Sequence, residues 1–228
     1  MSKFSILIPH DPPGWHDRNA EWNAARWRAH LPEAEVLVGG VGADPANRSA
    51  NRNLLAARAT TDLLLFIDAD CTAAVRHLVE AAELAADTGR LVKFRRAGWV
   101  SEHETARLLQ TDPAATLGFR DGGVTLRRSL LMGFAYLLRR DAFETVGRWD
   151  ERFTGWGEED PAFTLAAETL LGPVERHPEP MYHLHHPSGG THNKQLPTFQ
   201  ANKRLLRRYE AANGNPEAMR KLTQEWRQ

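Results

Sequence analysis

The chain has 228 residues, and its 42% hydrophobic content suffices for one large domain with its own core. Its 29 basic and 29 acidic residues balance, so no overall charge favours nucleic acid or an anionic membrane as a partner. Its one cysteine excludes an intramolecular disulfide and a multi-cysteine metal site, and no apolar run has the length of a signal peptide or a membrane span. We therefore expect a cytoplasmic protein.

Strand and helix patterns alternate along the first half of the chain. Short apolar runs that end at proline, glycine or an acid predict strands, and helical spacing of apolar residues predicts the helices between them. In chain order we predict strand 4–9, helix 21–31, strand 35–38, helix 49–59, strand 62–67, helix 75–88 and strand 90–95. This alternation is typical of an α/β protein with a nucleotide-binding half.

The second half is less regular, and residues 98–128 give no clear assignment. The remaining predicted elements are an extended run at 130–139 and helices at 141–146, 161–171, 198–212 and 217–227. Residues 187–197 are rich in Gly, Pro, His and Asn, which predicts a mobile loop. We expect a main domain over residues 1–190, followed by this loop and a C-terminal helical extension over residues 191–228.

A buried apolar run, residues 63–67, leads directly into Asp68 and Asp70. Alternation along an extended chain places these two carboxylates on one face, where they repel each other unless a cation lies beside them. A divalent cation would satisfy them. Alternatively, both acids cap the following helix by accepting hydrogen bonds from free backbone N–H groups.

A second acidic cluster lies in TGWGEEDPAF, residues 154–163. Trp156 stands between two glycines and precedes Glu158, Glu159 and Asp160, and Pro161 suits the first turn of a helix. The helix dipole alone would favour one or two of these acids, but it does not explain the tryptophan. A carboxylate can take a proton from a sugar hydroxyl while an aromatic face stacks on the C–H groups of the sugar.

Two further clusters can hold an ion or a phosphate. In MYHLHHP, residues 181–187, His183 with either His185 or His186 could converge on a divalent ion, although a histidine-rich surface turn is the alternative. In NRSANRN, residues 47–53, arginines and asparagines open a helix and could bind a phosphate or a base.

Taken in order, these motifs resemble the GT-A glycosyltransferases, in particular the β-1,4-galactosyltransferase and polypeptide N-acetylgalactosaminyltransferase catalytic domains and related family 2 enzymes. The resemblance spans residues 4–190. It is carried by Asn47-Arg48, Asn53, Asp68-Ala69-Asp70, Gly133, Gly155 to Asp160, and His183 to His186. It implies an α/β GT-A fold, which is a Rossmann-like single domain with a mixed central sheet flanked by helices.

The resemblance implies a metal-dependent, inverting enzyme that moves a sugar from a nucleotide sugar, expected to be a UDP-sugar, to a hydroxyl acceptor. The expected acceptor is a carbohydrate or a small molecule. The expected cofactor is Mn²⁺ or Mg²⁺, bound by Asp70, His183 and His186, and His185 remains an alternative to His186.

The resemblance also implies roles for single residues. It assigns the donor site to Pro9, His10, Asp11, Arg48, Asn53, Asp68, Asp70 and Gly133. The turn at residues 9–11 would hold the base, Arg48 the nucleotide, and Asp68 the ribose or the sugar hydroxyls. On the acceptor side, Trp156 would be the stacking platform, Asp160 the catalytic base, and Glu159 a ligand of sugar hydroxyls.

The chain departs from the family pattern in three ways. Its second strand ends in Gly39-Gly40 instead of an acid near the uracil, which weakens the expectation of UDP. Cys71 follows the Asp-x-Asp motif where some relatives have histidine, and this favours the galactosyltransferase version of the metal site. No stem or membrane anchor precedes the domain, from which we expect a bacterial or phage enzyme.

Three alternatives stay open. A nucleotidyltransferase would need a Gly-rich basic loop after the first strand, and HDPPGWHDRN at residues 10–19 fits this poorly. A non-catalytic nucleotide-sugar-binding or glycan-binding protein would not need the acid pair at residues 159–160. A transferase acting on a modified DNA base could use the basic run at residues 202–210, but a solvated helix face is the more common role of such a run, and the balanced net charge gives DNA no support.

Overall fold

The computed structural model describes residues 3–14, 16–42, 47–128, 133–187 and 193–227. The strands are β1 (Ser5–Pro9), β2 (Glu35–Gly39), β3 (Leu63–Ile67), β4 (Cys71–Thr72), β5 (Val92–Val100), β6 (Val124–Arg128), β7 (Ala135–Arg139) and β8 (Glu175–His183). The helices are α1 (Asp17–His30), α2 (Arg48–Arg58), α3 (Val75–Thr88), α4 (Glu102–Leu108), α5 (Arg140–Val146), α6 (Glu159–Leu171), α7 (Pro197–Ala212) and α8 (Pro216–Gln224), and a 3₁₀ turn follows at Glu225–Arg227.

All eight described strands belong to one mixed sheet in the order β2-β1-β3-β7-β5-β8-β4, and β6 pairs with β5. Strand β1 is parallel to both β2 and β3, whereas β7 is antiparallel to β3. The predicted fold class, an α/β domain with a mixed sheet flanked by helices, is confirmed.

Strand β3 is apolar throughout because both of its faces are covered. Leu63, Leu65 and Ile67 join a core that includes α1 and α3. Leu64 and Phe66 point the opposite way, into a second core that includes α2, α5 and α6. This alternation follows from the two-residue period of a strand. The strand is thereby fixed within the sheet, and the acids that follow it lie at the carboxyl end of this inner strand.

The C-terminal helices pack against α6. Leu206 and Tyr209 of α7, and Met219 and Leu222 of α8, lie in the same apolar core as Trp149. The opposite face of α7 exposes its basic side chains, as expected for a solvated helix face. The division of the chain after residue 190 stays a prediction. Residues 188–192 of the predicted mobile loop lie outside the described residues.

The segment that the sequence left unassigned contains the end of β5, helix α4 and strand β6. Helix α4 begins where Ser101 Oγ accepts a hydrogen bond from the backbone N–H of Glu104, at 3.2 Å. In the ranges that the structure describes, no helix combines the length and apolarity that crossing a bilayer requires.

Candidate active site

A cleft of about 680 Å³ opens where β1, β3 and β8 end. Of the predicted site residues, it is lined by Pro9, His10, Asp11, Arg48, Asp68, Asp70, Gly133, Trp156, Glu159, Asp160, His183 and His186. The carboxyl ends of strands in an open α/β sheet are the usual place for a ligand crevice. The structure therefore brings together residues that lie up to 177 positions apart in the sequence, from residue 9 to residue 186.

Three imidazoles surround the carboxylate of Asp70. Its Oδ2 lies 3.3 Å from Nε2 of His186, 3.6 Å from Nε2 of His183 and 3.4 Å from Nδ1 of His16. Antiparallel pairing of β4 with β8 sets Cys71 opposite His183, which explains how the Asp-x-Asp motif meets the histidines. His16 was not predicted, because nothing in its local sequence marks it as a site residue.

The electrostatics of this cluster suit cation binding. Burial would raise the pKa of Asp70, but the facing imidazoles of His183, His16 and His186 outweigh burial and hold that pKa below its ordinary value. Burial lowers the pKa of His16, and only part of this effect is offset by the charge of Asp70. A carboxylate surrounded by imidazole nitrogens is a donor set that fits a divalent metal ion.

His185 does not share this environment. Its side chain is exposed, and its backbone N–H donates to Oγ1 of Thr105 at 2.8 Å. Of the two alternatives for the second histidine, the structure brings His186 and not His185 to Asp70.

A buried arginine connects the two acidic motifs. Arg52 is 1% exposed, and its Nη2 lies 3.0 Å from Oδ1 of Asp68. Its Nη1 lies 3.3 Å from Oδ1 of Asp160 and 3.9 Å from Oε1 of Glu159. The guanidinium carbon lies 4.2 Å from the ring centroid of Trp149. One cation thus neutralises carboxylates from both sides of the cleft. The second arginine of NRSANRN is the signal that could have indicated this role.

The start of α6 directs Glu159 inward and leaves Asp160 at the cleft. Glu158 precedes the helix with φ of +76°, an unusual left-handed conformation for a residue with a side chain. Glu159 is 4% exposed, so burial, and then the charge of Asp160, raise its pKa. Its Oε1 lies 3.6 Å from Nη1 of Arg48. Arg48, which was predicted to contact the nucleotide, is therefore already paired with Glu159.

Gly133 makes room for the carboxylate of Asp160. A Cβ atom at position 133 would collide with Oδ2 of Asp160. The need for glycine here comes from this close approach, so any substitution would displace the carboxylate that faces the cleft.

Helix α7 holds the loop that carries Trp156. The side-chain amide of Asn202 donates to the carbonyl oxygens of Thr154 and Gly157, each at 2.9 Å. The indole of Trp156 stacks on Phe199, with ring centroids 5.3 Å apart and 17° between the planes. Neither Asn202 nor Phe199 was predicted, because a contact between segments about 45 residues apart leaves no local sequence pattern.

The expected base-binding turn is fixed by contacts to α2, to the segment after β2 and to the start of α1. Asp11 accepts hydrogen bonds from Nδ2 of Asn51 at 2.7 Å and from the backbone N–H of Gly42 at 2.9 Å. His10 Nε2 lies 2.7 Å from Oδ1 of Asp17. These contacts place Asp11 and His10 at the cleft wall with their carboxylate and imidazole already partnered.

Asn53, predicted to bind the donor, lies elsewhere among the described residues. Its Nδ2 donates to the carbonyl of Trp149 at 2.8 Å, and its Oδ1 accepts from the backbone N–H of Trp149 at 3.1 Å. It therefore fastens α2 to the loop before α6, and it is not among the residues that line the cleft.

No protein-family model and no curated protein matches the chain, but solved structures do. The catalytic domain of Drosophila β1,4-galactosyltransferase 7, in complex with xylobiose, has a TM-score of 0.61 and 15% identity, over 89% of this chain and 80% of that one. GalNAc-T7 with UDP, GalNAc and Mn²⁺ gives 0.55 and 12%, over 92% and 49% of the two chains. Staphylococcus aureus TarS 1–349 gives 0.57 and 12%, over 99% and 70%.

These similarities confirm the predicted fold: the chain has the GT-A fold of glycosyltransferase catalytic domains. At 12–15% identity they establish the fold alone, so the activity has to be argued from the cleft.

Replacing Asn53 by Ala should destabilise the fold without changing the binding of UDP, the nucleotide that the resemblance implies. Its amide is buried and satisfies both backbone groups of Trp149, so we expect a loss of about 1–3 kcal/mol in the free energy of unfolding. Urea denaturation and calorimetry with UDP measure the two effects. The matched control is Asn51→Ala on the same helix, which removes the partner of Asp11 at the cleft and should weaken UDP binding. Weaker UDP binding by Asn53→Ala with unchanged stability would restore the donor-binding role.

Replacing Arg52 by Met should destabilise the fold by about 3–5 kcal/mol at neutral pH, because three carboxylates lose their buried cation. Burial already raises the pKa values of Asp68 and Glu159, and without Arg52 these values should lie further above those of the unfolded chain. The native state then binds more protons than the unfolded state, so the stability of the variant should rise as the pH falls through those raised values.

Urea denaturation of both proteins at pH 8 and pH 5 tests this. The control is Arg48→Met, which removes a 42% exposed arginine from the same Glu159 and should cost far less. Equal losses for the two variants, or a gap that does not narrow at pH 5, would contradict the role given to Arg52.

Proposed function

We propose that the chain is a metal-dependent, inverting glycosyltransferase that moves a sugar from a UDP-sugar to a hydroxyl of a carbohydrate or small-molecule acceptor. The observation that carries this proposal is the ion pairing of Arg52 with both Asp68 and Asp160 in one cleft. It joins the acid of the proposed donor side to the acid of the proposed acceptor side, next to the carboxylate and imidazoles around Asp70.

On the donor side, Asp70, His183 and His186 would hold the cation. When bound, a divalent cation neutralises the charge that develops on the leaving diphosphate. Among the described residues, the buried Nδ1 of His16 has no hydrogen-bond partner, and it faces the carboxylate of Asp70. Both observations support the fit of these residues to a cation. Asp68 would bind ribose or sugar hydroxyls, and Pro9, His10 and Asp11 would line the base pocket.

On the acceptor side, Asp160 would accept the proton of the attacking hydroxyl. Its side chain is 20% exposed at the cleft, whereas that of Glu159 is 5% exposed. This difference supports Asp160 as the base and leaves Glu159 to orient it or to contact sugar hydroxyls. A base on the acceptor side supports a single in-line displacement, and therefore inversion at the anomeric carbon.

Trp156 would stack on the acceptor sugar. The support is its position in the cleft lining, on a loop that Asn202 fixes through two backbone carbonyls. Because Asn202 belongs to α7, we include this helix in the catalytic unit, in place of the division after residue 190. Drosophila β1,4-galactosyltransferase 7 is complexed with xylobiose, which favours a carbohydrate as the acceptor class here.

Replacing Asp160 by Asn should lower transfer by roughly 10²-fold or more, because the amide cannot accept the proton. UDP affinity with Mn²⁺ should stay within a few fold of the parent. The measurement is UDP release from a set of UDP-hexoses and UDP-N-acetylhexosamines with simple sugar acceptors. If the variant loses melting temperature but keeps its turnover per folded molecule, Asp160 is a helix-capping residue instead.

Replacing Asp70 by Asn should remove the charge that attracts the cation, and should weaken metal-dependent UDP binding by roughly tenfold or more. Calorimetry with UDP in the presence of Mn²⁺ measures this, and the same titration with a chelator in place of Mn²⁺ is the internal control. Equal UDP affinity of parent and variant with Mn²⁺ present would refute the metal assignment.

A further inference from the structure

His16 faces the cleft from a part of the chain remote from His183 and His186. It stands at the N-cap position of α1, where Ser, Thr, Asp or Asn commonly caps the helix through its side chain. Within the described residues, the side chain of His16 makes no such capping bond. Its Nδ1 is instead buried beside Oδ2 of Asp70. Among the described residues, this nitrogen has no hydrogen-bond partner.

The distances around Asp70 do not fit ordinary hydrogen bonds. Good N–H···O bonds have donor–acceptor distances of about 2.7–3.2 Å, whereas the three imidazole nitrogens lie 3.3–3.6 Å from Oδ2. Ligand atoms about 2.1 Å from a common ion lie about 3.0–3.5 Å from one another in tetrahedral or octahedral geometry. Donor atoms of His16, Asp70 and His186 all lie within 4.8 Å of one another, and His183 joins them through its 3.6 Å distance to Asp70. This spacing suits one shared ion better than a set of pairwise bonds.

We propose that His16 is a direct protein ligand of the cation, so that the site consists of three imidazoles and one carboxylate. The inference rests on the metal site of the proposed function and adds a ligand from the loop between β1 and α1. His183 and His186 approach Asp70 from the end of β8, and His16 approaches it from the start of α1. A bound cation would therefore tie these two walls of the cleft together.

The composition of this site defines a class of cation. Imidazole nitrogens suit first-row transition metals, whereas Mg²⁺ and Ca²⁺ bind oxygen ligands and retain water. With three nitrogens for one carboxylate, the site should select a transition-metal ion and discriminate against Mg²⁺. Of the two cofactors expected from the sequence, this favours Mn²⁺ over Mg²⁺.

The test titrates the metal-free protein with Co²⁺ alone and records visible absorption, which reports affinity and the ligands of the ion without any turnover. His16→Ala and His16→Gln should each bind Co²⁺ roughly 10–100-fold more weakly and with an altered spectrum, because water replaces one nitrogen. His185→Ala removes an exposed histidine from the neighbouring segment and should match the parent. Mg²⁺ in hundredfold excess should not displace Co²⁺ from the parent. The melting temperature of each metal-free variant checks that it is folded.

Each outcome of this experiment tests a different part of the proposal. Parent-like affinity and spectrum in both folded His16 variants would overturn the ligand role. Displacement of Co²⁺ by a hundredfold excess of Mg²⁺ would overturn the cation class. A parent protein that binds no Co²⁺ would overturn this inference together with the metal dependence of the proposed function. Co²⁺ binding as expected without any UDP binding would uphold the inference and reject the proposed function.

Discussion

The cleft is built around a buried guanidinium. Arg52 lies against the face of Trp149 and within 3.0–3.9 Å of oxygens from Asp68, Glu159 and Asp160. Carboxylates this close and this shielded would repel one another strongly without a cation, and a buried arginine would be equally costly without them. The carboxylates outweigh burial and raise the pKa of Arg52. Charge balance inside the fold therefore fixes where the acids of the site stand, before any ligand is bound.

The surrounding structure keeps that guanidinium in place. Trp149 stacks on Phe163 of α6, with ring centroids 4.0 Å apart, and both of its backbone groups are bonded to Asn53 of α2. A second buried cation, Lys93, lies behind this layer: its ammonium donates to Thr164 Oγ1 at 3.1 Å, and burial lowers its pKa to about 8. The acids are thus held by helices α2 and α6, and rigid elements position catalytic groups more accurately than loops do.

The sequence predicted features that leave a local pattern. The apolar run of β3, the acids after it, the turn before α6 and the pair His183 and His186 all fall into this class. The run of β3 lies in the core, and the other three line the cleft. Residues 98–128 were left unassigned because β5 carries charged Arg95 and Arg96 at a register shift, and because α4 spans only 7 residues.

Residues that act through distant contacts escaped prediction. His16 contacts Asp70, which is 54 residues away in the sequence, and Asn202 contacts Thr154, which is 48 residues away. A contact over such a separation leaves no local sequence pattern that would predict it. Asn53 shows the reverse case, since an asparagine in the middle of a helix can bind a ligand or a backbone group equally well. Asn53 bonds to Trp149 because of tertiary packing, which a short sequence pattern does not predict.

A crystal structure of the protein with Mn²⁺ and UDP, with the ion located by its anomalous scattering, tests the account most directly. The account predicts one ion on Asp70, His16, His183 and His186, with the diphosphate beside it and the uracil at the wall formed by residues 9–11. Arg52 should still pair with Asp68 and Asp160 in that complex. An ion bound away from Asp70, or UDP bound outside this cleft, would contradict the account.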